Sequence, residues 1–322
     1  MRTPVRGMAL ALLLVLVGAV PGLAATPPRA VGMGIARIDS RNLAAIDALT
    51  AETGGHPPAI WTLWVQWGGV DPAFPPTDLM DGIVERGAVP MINWEPVDPR
   101  AEESPRFRYR RIAAGVWDDY IRAFARDAAA WGGPVYLRFA HEMNGSWFPW
   151  GMGRFDNTAA RFRAAWRRVH GIFRAEGATN VRFLWSPYRV CPWCAAYEPL
   201  YPGDRYVDAT SFSAFNWNNA WLPWRPMAEL YASSVRALRA VAPRKPIIVA
   251  ETGSADALTG KAGWIAQGYP AVRAQFPRII AIVWFDVRMP THPDWRLSQP
   301  PEALAAYAAI AAQPEFQRDL RD

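Results

Sequence analysis

Short apolar runs and longer amphipathic stretches alternate along almost the whole chain. Apolar runs fall at 34–38, 59–66, 88–93, 135–140, 181–185, 209–215, 247–251 and 279–285. Each is bounded by turn residues, the pattern of strands buried on both faces of a parallel sheet. Between them lie helical patterns at 41–50, 78–86, 117–130, 157–176, 227–241, 261–276 and 301–312. In the third of these, Ile121, Phe124, Ala125 and Ala128 share one face. The fourth is expected to start at an Asp156 or Asn157 cap and to stop at Gly177. A loop rich in Pro and charge runs from about 94 to 106.

Eight strands alternating in order with seven helical patterns predict a single (β/α)8 barrel. A doubly wound sheet is the alternative, and it calls for a Gly-rich turn after the first strand. Gly32-Met33-Gly34 leads into that strand instead of following it. No repeat or linker divides the chain, so residues 26–322 are expected to form one catalytic domain. Its mouth would be built by the loops after strands three to six.

Residues 1–25 read differently. Arg2 and Arg6 precede an apolar stretch, 8–20, and Gly22-Leu23-Ala24 offers small residues for cleavage. This is the layout of a secretory signal peptide, with an uncleaved N-terminal anchor as the alternative. The net charge of +6 falls to +4 without those two arginines. The remaining basic residues are scattered, as in Arg161, Arg163, Arg167 and Arg168, with no dense stripe for nucleic acid. The expectation is a secreted or periplasmic monomer, free of the membrane once the signal is removed.

The two cysteines, Cys191 and Cys194, sit in a Pro- and Trp-containing loop after a strand. A redox motif belongs at a helix start, and two thiols do not make a four-ligand zinc site. In an exported chain a local disulfide is the favoured reading. Seventeen Trp is far above ordinary usage. Many lie in or just past strands: Trp64, Trp67, Trp94, Trp147, Trp150, Trp185, Trp217 and Trp284. Such rings either fill the core or line a cleft, where they can stack on the C–H faces of sugars.

Two strands end in a carboxylate. One is 135–140, leading into His141-Glu142-Met143-Asn144-Gly145-Ser146-Trp147, and the other is 247–251, closed by Glu251-Thr252-Gly253. In a barrel, strands four and seven end on opposite sides of the mouth. Two glutamates there suit a retaining glycosidase, with one proton donor and one nucleophile about 5–5.5 Å apart. Arg138, four residues before Glu142, can supply the cation that an ionised Glu251 needs, or can pair with a core carboxylate. The four histidines show no metal-ligand spacing, and no cofactor is implied.

The segment from His141 to Trp147 resembles the acid/base signature of glycoside hydrolase family 26, best known for β-mannanases. Similar likenesses follow in family order at 201–208, 250–253, 282–285 and 294–296, so that the match spans about 115–297. The resemblance implies Glu142 as acid/base and Glu251 as nucleophile. It implies His141 and Trp147 beside the scissile bond and Trp284 as the floor of the sugar site. Asn144, Trp94, Trp217, Phe215 and Arg138 complete the candidate substrate contacts. Phe215 stands where the family places a Tyr that bonds the nucleophile, and Tyr188 where it often places Asn. The implied activity is endo-hydrolysis of a β-linked polysaccharide, β-1,4-mannan first, with β-glucan, xylan or an exopolysaccharide as alternatives. A carbohydrate-binding barrel without catalysis is the reading of another class.

Overall fold

The computed structural model describes residues 29–258 and 260–321. The proposed signal segment, 1–25, lies outside the described residues. Eight parallel strands close into a barrel in chain order: β1 (Gly32–Ala36), β2 (Ile60–Gln66), β3 (Val89–Glu95), β4 (Val135–Phe139), β5 (Val181–Trp185), β6 (Ala209–Asn216), β7 (Ile247–Ser254) and β8 (Ile279–Phe285). The predicted fold is therefore the observed one, and the doubly wound alternative is excluded by the β1–β8 pairing.

The helices are α1 (Leu43–Glu52), α2 (Thr77–Glu85), α3 (Tyr109–Ala113), α4 (Asp118–Trp131), α5 (Ala159–Ala175), α6 (Met227–Val241), α7 (Gly260–Gln275) and α8 (Pro301–Ala311). Two connections depart from the simple unit. Between β3 and β4 there are two helices, the short α3 burying Tyr109 and Ile112. Between β5 and β6 there are only two 3₁₀ turns, Glu198–Leu200 and Asp204–Tyr206. The cap of α5 is Thr158, whose hydroxyl accepts from Arg161 N. Neither Asp156 nor Asn157, the two expected caps, takes that place; Asn157 instead accepts from Tyr109 N and donates to the Pro149 carbonyl.

Side-chain alternation sorts the strands into two layers. Outward residues such as Trp61, Trp94, Phe139, Trp185 and Trp284 pack against the helices in one large core. Inside the barrel, Ile60, Val89, Met91, Tyr136, Leu184, Ile248 and Val283 fill the lower part. Above them the inward positions turn polar: Asn93, Arg138, Ser186, Ser211 and Ser213, all buried. Polar groups buried at this depth require partners. They find them in one another, and that network carries the site.

Candidate active site

The cleft at the carboxyl ends of the strands encloses about 580 Å³. Glu95, His141, Glu142 and Glu251 line it, enclosed by Trp64, Trp147, Phe148, Tyr188, Phe215, Trp217 and Trp295.

Glu142 reaches the cleft through strained backbone. Ala140 and Glu142 both have positive φ, 48° and 54°. Residues with a Cβ rarely adopt this conformation, and where they do it clusters at functional sites. Ala140 N donates to the Trp94 carbonyl and Glu142 N to the Ser186 carbonyl at 2.7 Å, which holds the turn in place. Trp147 folds back so that its indole Nε1 donates to Glu142 Oε2 at 2.8 Å. Gly145 makes this possible, because a Cβ there would lie 2.2 Å from the Trp147 ring.

Glu251 is aimed by a register shift. Phe212 pairs with Val249, but Ser213 pairs with Glu251, so Ala250 is an extra residue in β7. Ile248 and Ala250 both point into the barrel. Strict alternation would then turn Thr252 inward and Glu251 out toward the helices. The bulge resets the alternation, as bulges beside active sites do. Glu251 enters the barrel, while Thr252 takes a bond from Tyr231 on α6.

The Glu251 carboxylate is tightly held. Arg138 Nη1 lies 3.0 Å from its Oε1, and Asn93 Nδ2 donates to the same oxygen at 3.1 Å. Ser213 Oγ lies 3.5 Å from Oε2. Arg138 is fully buried and spends its other donors on Ser186 at 2.7 Å, Asn93 at 3.1 Å and Ser213 at 2.5 Å. The guanidinium is thus a fixed fork, which a Lys could not reproduce.

Glu142 differs. Burial first, and then the charge of Glu251, push its pKa up to about 7, with Arg138, Ser213 and Trp147 pulling the other way. The Ser213 hydroxyl interacts with both carboxylates, so the two groups flank one small volume. One carboxyl is biased toward its protonated form and the other carries a guanidinium partner, the division of labour that acid/base chemistry at a single bond requires.

Glu95, within the stretch expected to be a loop, closes β3 and is a third buried carboxyl in the cleft. Burial pushes its pKa up to about 7, opposed by a bond from Gln66 Nε2 at 2.9 Å. His141 Nε2 lies 4.0 Å from it, but burial lowers the His141 pKa well below its ordinary value. The contact is therefore between neutral groups near pH 6 and not an ion pair. The signal for Asn93 and Glu95 was present in the chain: two polar residues at alternate positions closing an apolar strand, on the face of Val89 and Met91.

Several candidate contacts lie elsewhere. Trp94 faces outward, stacks on Tyr120, packs at a tilt on Phe124, and donates to the Tyr120 hydroxyl. Trp284 also faces outward, against Trp264 on α7, and donates to the Trp295 carbonyl at 2.7 Å. The rings that reach the cleft from this region are Phe285, His292 and Trp295. Asn144 is consumed by the backbone of Tyr188, donating to its carbonyl at 3.0 Å and accepting from its N–H at 2.6 Å. Arg138 lies beneath Glu251 and not on the cleft surface. His141, Trp147, Phe215 and Trp217 do line the cleft. Phe215 packs on Phe285 and Trp295 and has no polar atom to offer Glu251. Cys191 and Cys194 are joined by a disulfide. Among the described residues, no cluster of His, Cys, Asp and Glu could hold a metal ion, and no helix is long and apolar enough to cross a membrane.

Fold and site together define a (β/α)8 barrel with two buried glutamates facing an aromatic cleft. Residues 100–251 match the family model for Glycosyl hydrolase family 26. That segment matches the family that the motifs of this chain resemble. It is 37% identical to Endoglucanase H of Acetivibrio thermocellus over 235 residues, 70% of this chain and 25% of that protein. It is 25% identical to Mannan endo-1,4-beta-mannosidase A and B of Caldalkalibacillus mannanilyticus over 203 residues, 60% of this chain and 37% of that protein. The chain thus spans 25% and 37% of the length of these relatives. The fold is shared with the catalytic domain of a GH26 endo-beta-1,4-mannanase from Bacillus sp. JAMB-750, with TM-score 0.68 and 18% identity, covering 91% of this chain and 89% of that one.

Proposed function

We propose that this protein is a retaining endo-β-glycanase that cleaves an equatorially β-linked polysaccharide, with Glu142 as acid/base and Glu251 as nucleophile. The observation that carries the reading is the pair itself. Two glutamates from β4 and β7 interact with one Ser213 hydroxyl, one raised to about 7 and the other ion-paired to Arg138 at 3.0 Å.

In the first step the Glu142 carboxyl gives its proton to the glycosidic oxygen as the Glu251 carboxylate attacks the anomeric carbon. The bond to the leaving sugar breaks and a glycosyl ester forms on Glu251. This neutralises Glu251, and the charge that had raised Glu142 is gone. Glu142, now a carboxylate, takes a proton from water, which attacks the anomeric carbon and releases Glu251. The bond from Trp147 favours ionised Glu142 and so supports this second step.

β-Mannan remains the first substrate, in keeping with the shared fold and the mannosidase relative. β-Glucan is the second reading, favoured by the 37% identity to Endoglucanase H. The disulfide suits an oxidising compartment, and with the leader-like residues 1–25 it supports action outside the cytoplasm.

The test pairs two variants on both polysaccharides and on an aryl glycoside with a good leaving group. Glu142→Gln should lose most activity on the polysaccharides and keep relatively more on the aryl glycoside, which needs little protonation. Glu251→Ala should lose both. NMR of the first product should show the β-anomer. An α-anomer would mean inversion, full activity of Glu251→Ala would remove Glu251 as nucleophile, and hydrolysis of no β-glycan by the wild type would leave the binding-barrel reading in its place.

A further inference from the structure

The disulfide loop after β5 does something that the carboxylate chemistry does not require. Trp193 lies between the two bonded cysteines, with Pro192 beside it, and its side chain reaches the wall of the cleft. It is 55% exposed, whereas Glu142 and Glu251 are 7% and 5% exposed. Trp193 thus stands at the lip of the same cavity whose floor holds the two carboxylates. Among the described residues no other ring pairs with it, and its indole N–H bonds no protein group.

An exposed Trp is ordinarily a mobile and unremarked surface residue. This one sits on a braced loop. Cys194 N donates to the Cys191 carbonyl across the four-residue ring, and Ala195 N donates to the Asn144 carbonyl at 2.8 Å. Arg189 N donates to the Ser213 carbonyl, Val190 N to Ser234 Oγ at 3.0 Å, and the Tyr197 hydroxyl to the Tyr188 carbonyl at 2.8 Å. Both ends of the loop are therefore tied to the segments that carry Glu142 and Ser213. A ring held this way loses little freedom when a ligand covers it, so more of the contact energy appears as affinity.

We infer that Trp193, presented by the Cys191–Cys194 disulfide, is a stacking platform for a sugar of the bound glycan at least one residue away from the scissile bond. The occupant is the same β-linked chain continuing out of the cleft, because the platform and the carboxylates share one cavity. The pyranose offers an apolar C–H face, and the indole offers a flat apolar ring with no competing protein partner. Leu222, from the loop after β6, lies along the same cavity and extends the apolar edge.

This inference rests on the glycanase reading, and its test separates the two. kcat/KM is measured for oligosaccharides of increasing length and for a short aryl glycoside. The proteins are the wild type, Trp193→Ala, Trp193→Tyr and the double variant Cys191→Ser/Cys194→Ser. The ratio of long-chain to short-chain kcat/KM should fall about tenfold in Trp193→Ala, chiefly through KM, and recover in Trp193→Tyr. The double serine variant should lower the ratio by a smaller factor, since the ring remains but is no longer held. Calorimetric titration of Glu251→Ala with the longest oligosaccharide, with and without Trp193→Ala, should show the same tenfold loss without turnover. A ratio unchanged within about twofold, or an equal fall for long and short substrates, would overturn the platform. Hydrolysis of no β-glycan by the wild type would overturn the glycanase reading instead.

Discussion

Replacing Trp147 with Phe tests the assignment of Glu142 at a single hydrogen bond. Burial and the Glu251 charge set the Glu142 pKa near 7, and the indole donates to its Oε2 at 2.8 Å. Phe keeps an aromatic surface against Tyr188, which the Trp147 ring meets edge-on at 4.9 Å, but it has no donor. A bond to a charged group is worth about 1.5 kcal/mol at the low end, which corresponds to about one pH unit. Trp147 is 43% exposed, so water replaces part of what is removed and about half of that displacement remains. The sign follows from the donor: the N–H stabilises only the ionised carboxylate. Without it the acid keeps its proton to higher pH. The alkaline limb of kcat/KM on a soluble β-glycan should therefore move up by about half a pH unit. The acid limb should stay in place, because the indole N–H bonds only Glu142. The assay is kcat/KM from about pH 4 to about pH 10 for wild type and Trp147→Phe, fitted to two limbs. An alkaline limb that stays put, or moves to lower pH, would show that it does not report Glu142.

Three further outcomes follow from the same geometry. Gly145→Ala places a Cβ 2.2 Å from the Trp147 ring, so the indole must leave Glu142; its alkaline limb should move in the same direction as that of Trp147→Phe, with a fall in kcat/KM of about tenfold or more. Arg138→Met strands Glu251 as a buried carboxylate, and urea unfolding at neutral pH should register a loss of about 3–5 kcal/mol along with most of the activity; a loss below about 1 kcal/mol would mean that the ion pair is not the centre of the network. Glu95→Gln tests the third carboxyl. Its folded pKa of about 7 lies above the ordinary 4.5, so the stability it contributes in the protonated form is lost as pH rises from about 4.5 through 7. Gln does not titrate. The variant should gain about 3 kcal/mol on the wild type between about pH 4 and pH 8 in paired unfolding curves, with the histidine titrations common to both proteins cancelling. A difference independent of pH would contradict the shifted carboxyl.

The order of elements was legible in the chain because it rests on local physics. Eight apolar runs at the length of strands, each followed by a turn or an amphipathic stretch, have few ways to bury their faces other than a closed parallel barrel. The carboxylates at the ends of β4 and β7 were legible for the same reason: the end of a strand is a property of the sequence. The direction in which each side chain points was not. A period of two assigns Glu251 to the helix side unless one residue, Ala250, is looped out, and that bulge exists only because β6 pairs Phe212 with Val249 and then Ser213 with Glu251. Trp94 and Trp284 read as cleft rings because Trp near a strand end suits a sugar. Their parity sends them outward into the core, and Trp295, from a loop, takes the place beside the cleft. Asn144 read as a substrate ligand, but its amide is claimed by Tyr188, forty-four residues away. Glu95 shows in the chain only as an alternate polar position after Asn93 at the end of an apolar strand; nothing local shows that Gln66 and His141 will surround it. What the sequence determined alone was therefore the inventory and its order along the chain. What tertiary structure decided was which polar atoms are buried together, since burial and partners arise from contacts between strands that the chain brings together only on folding.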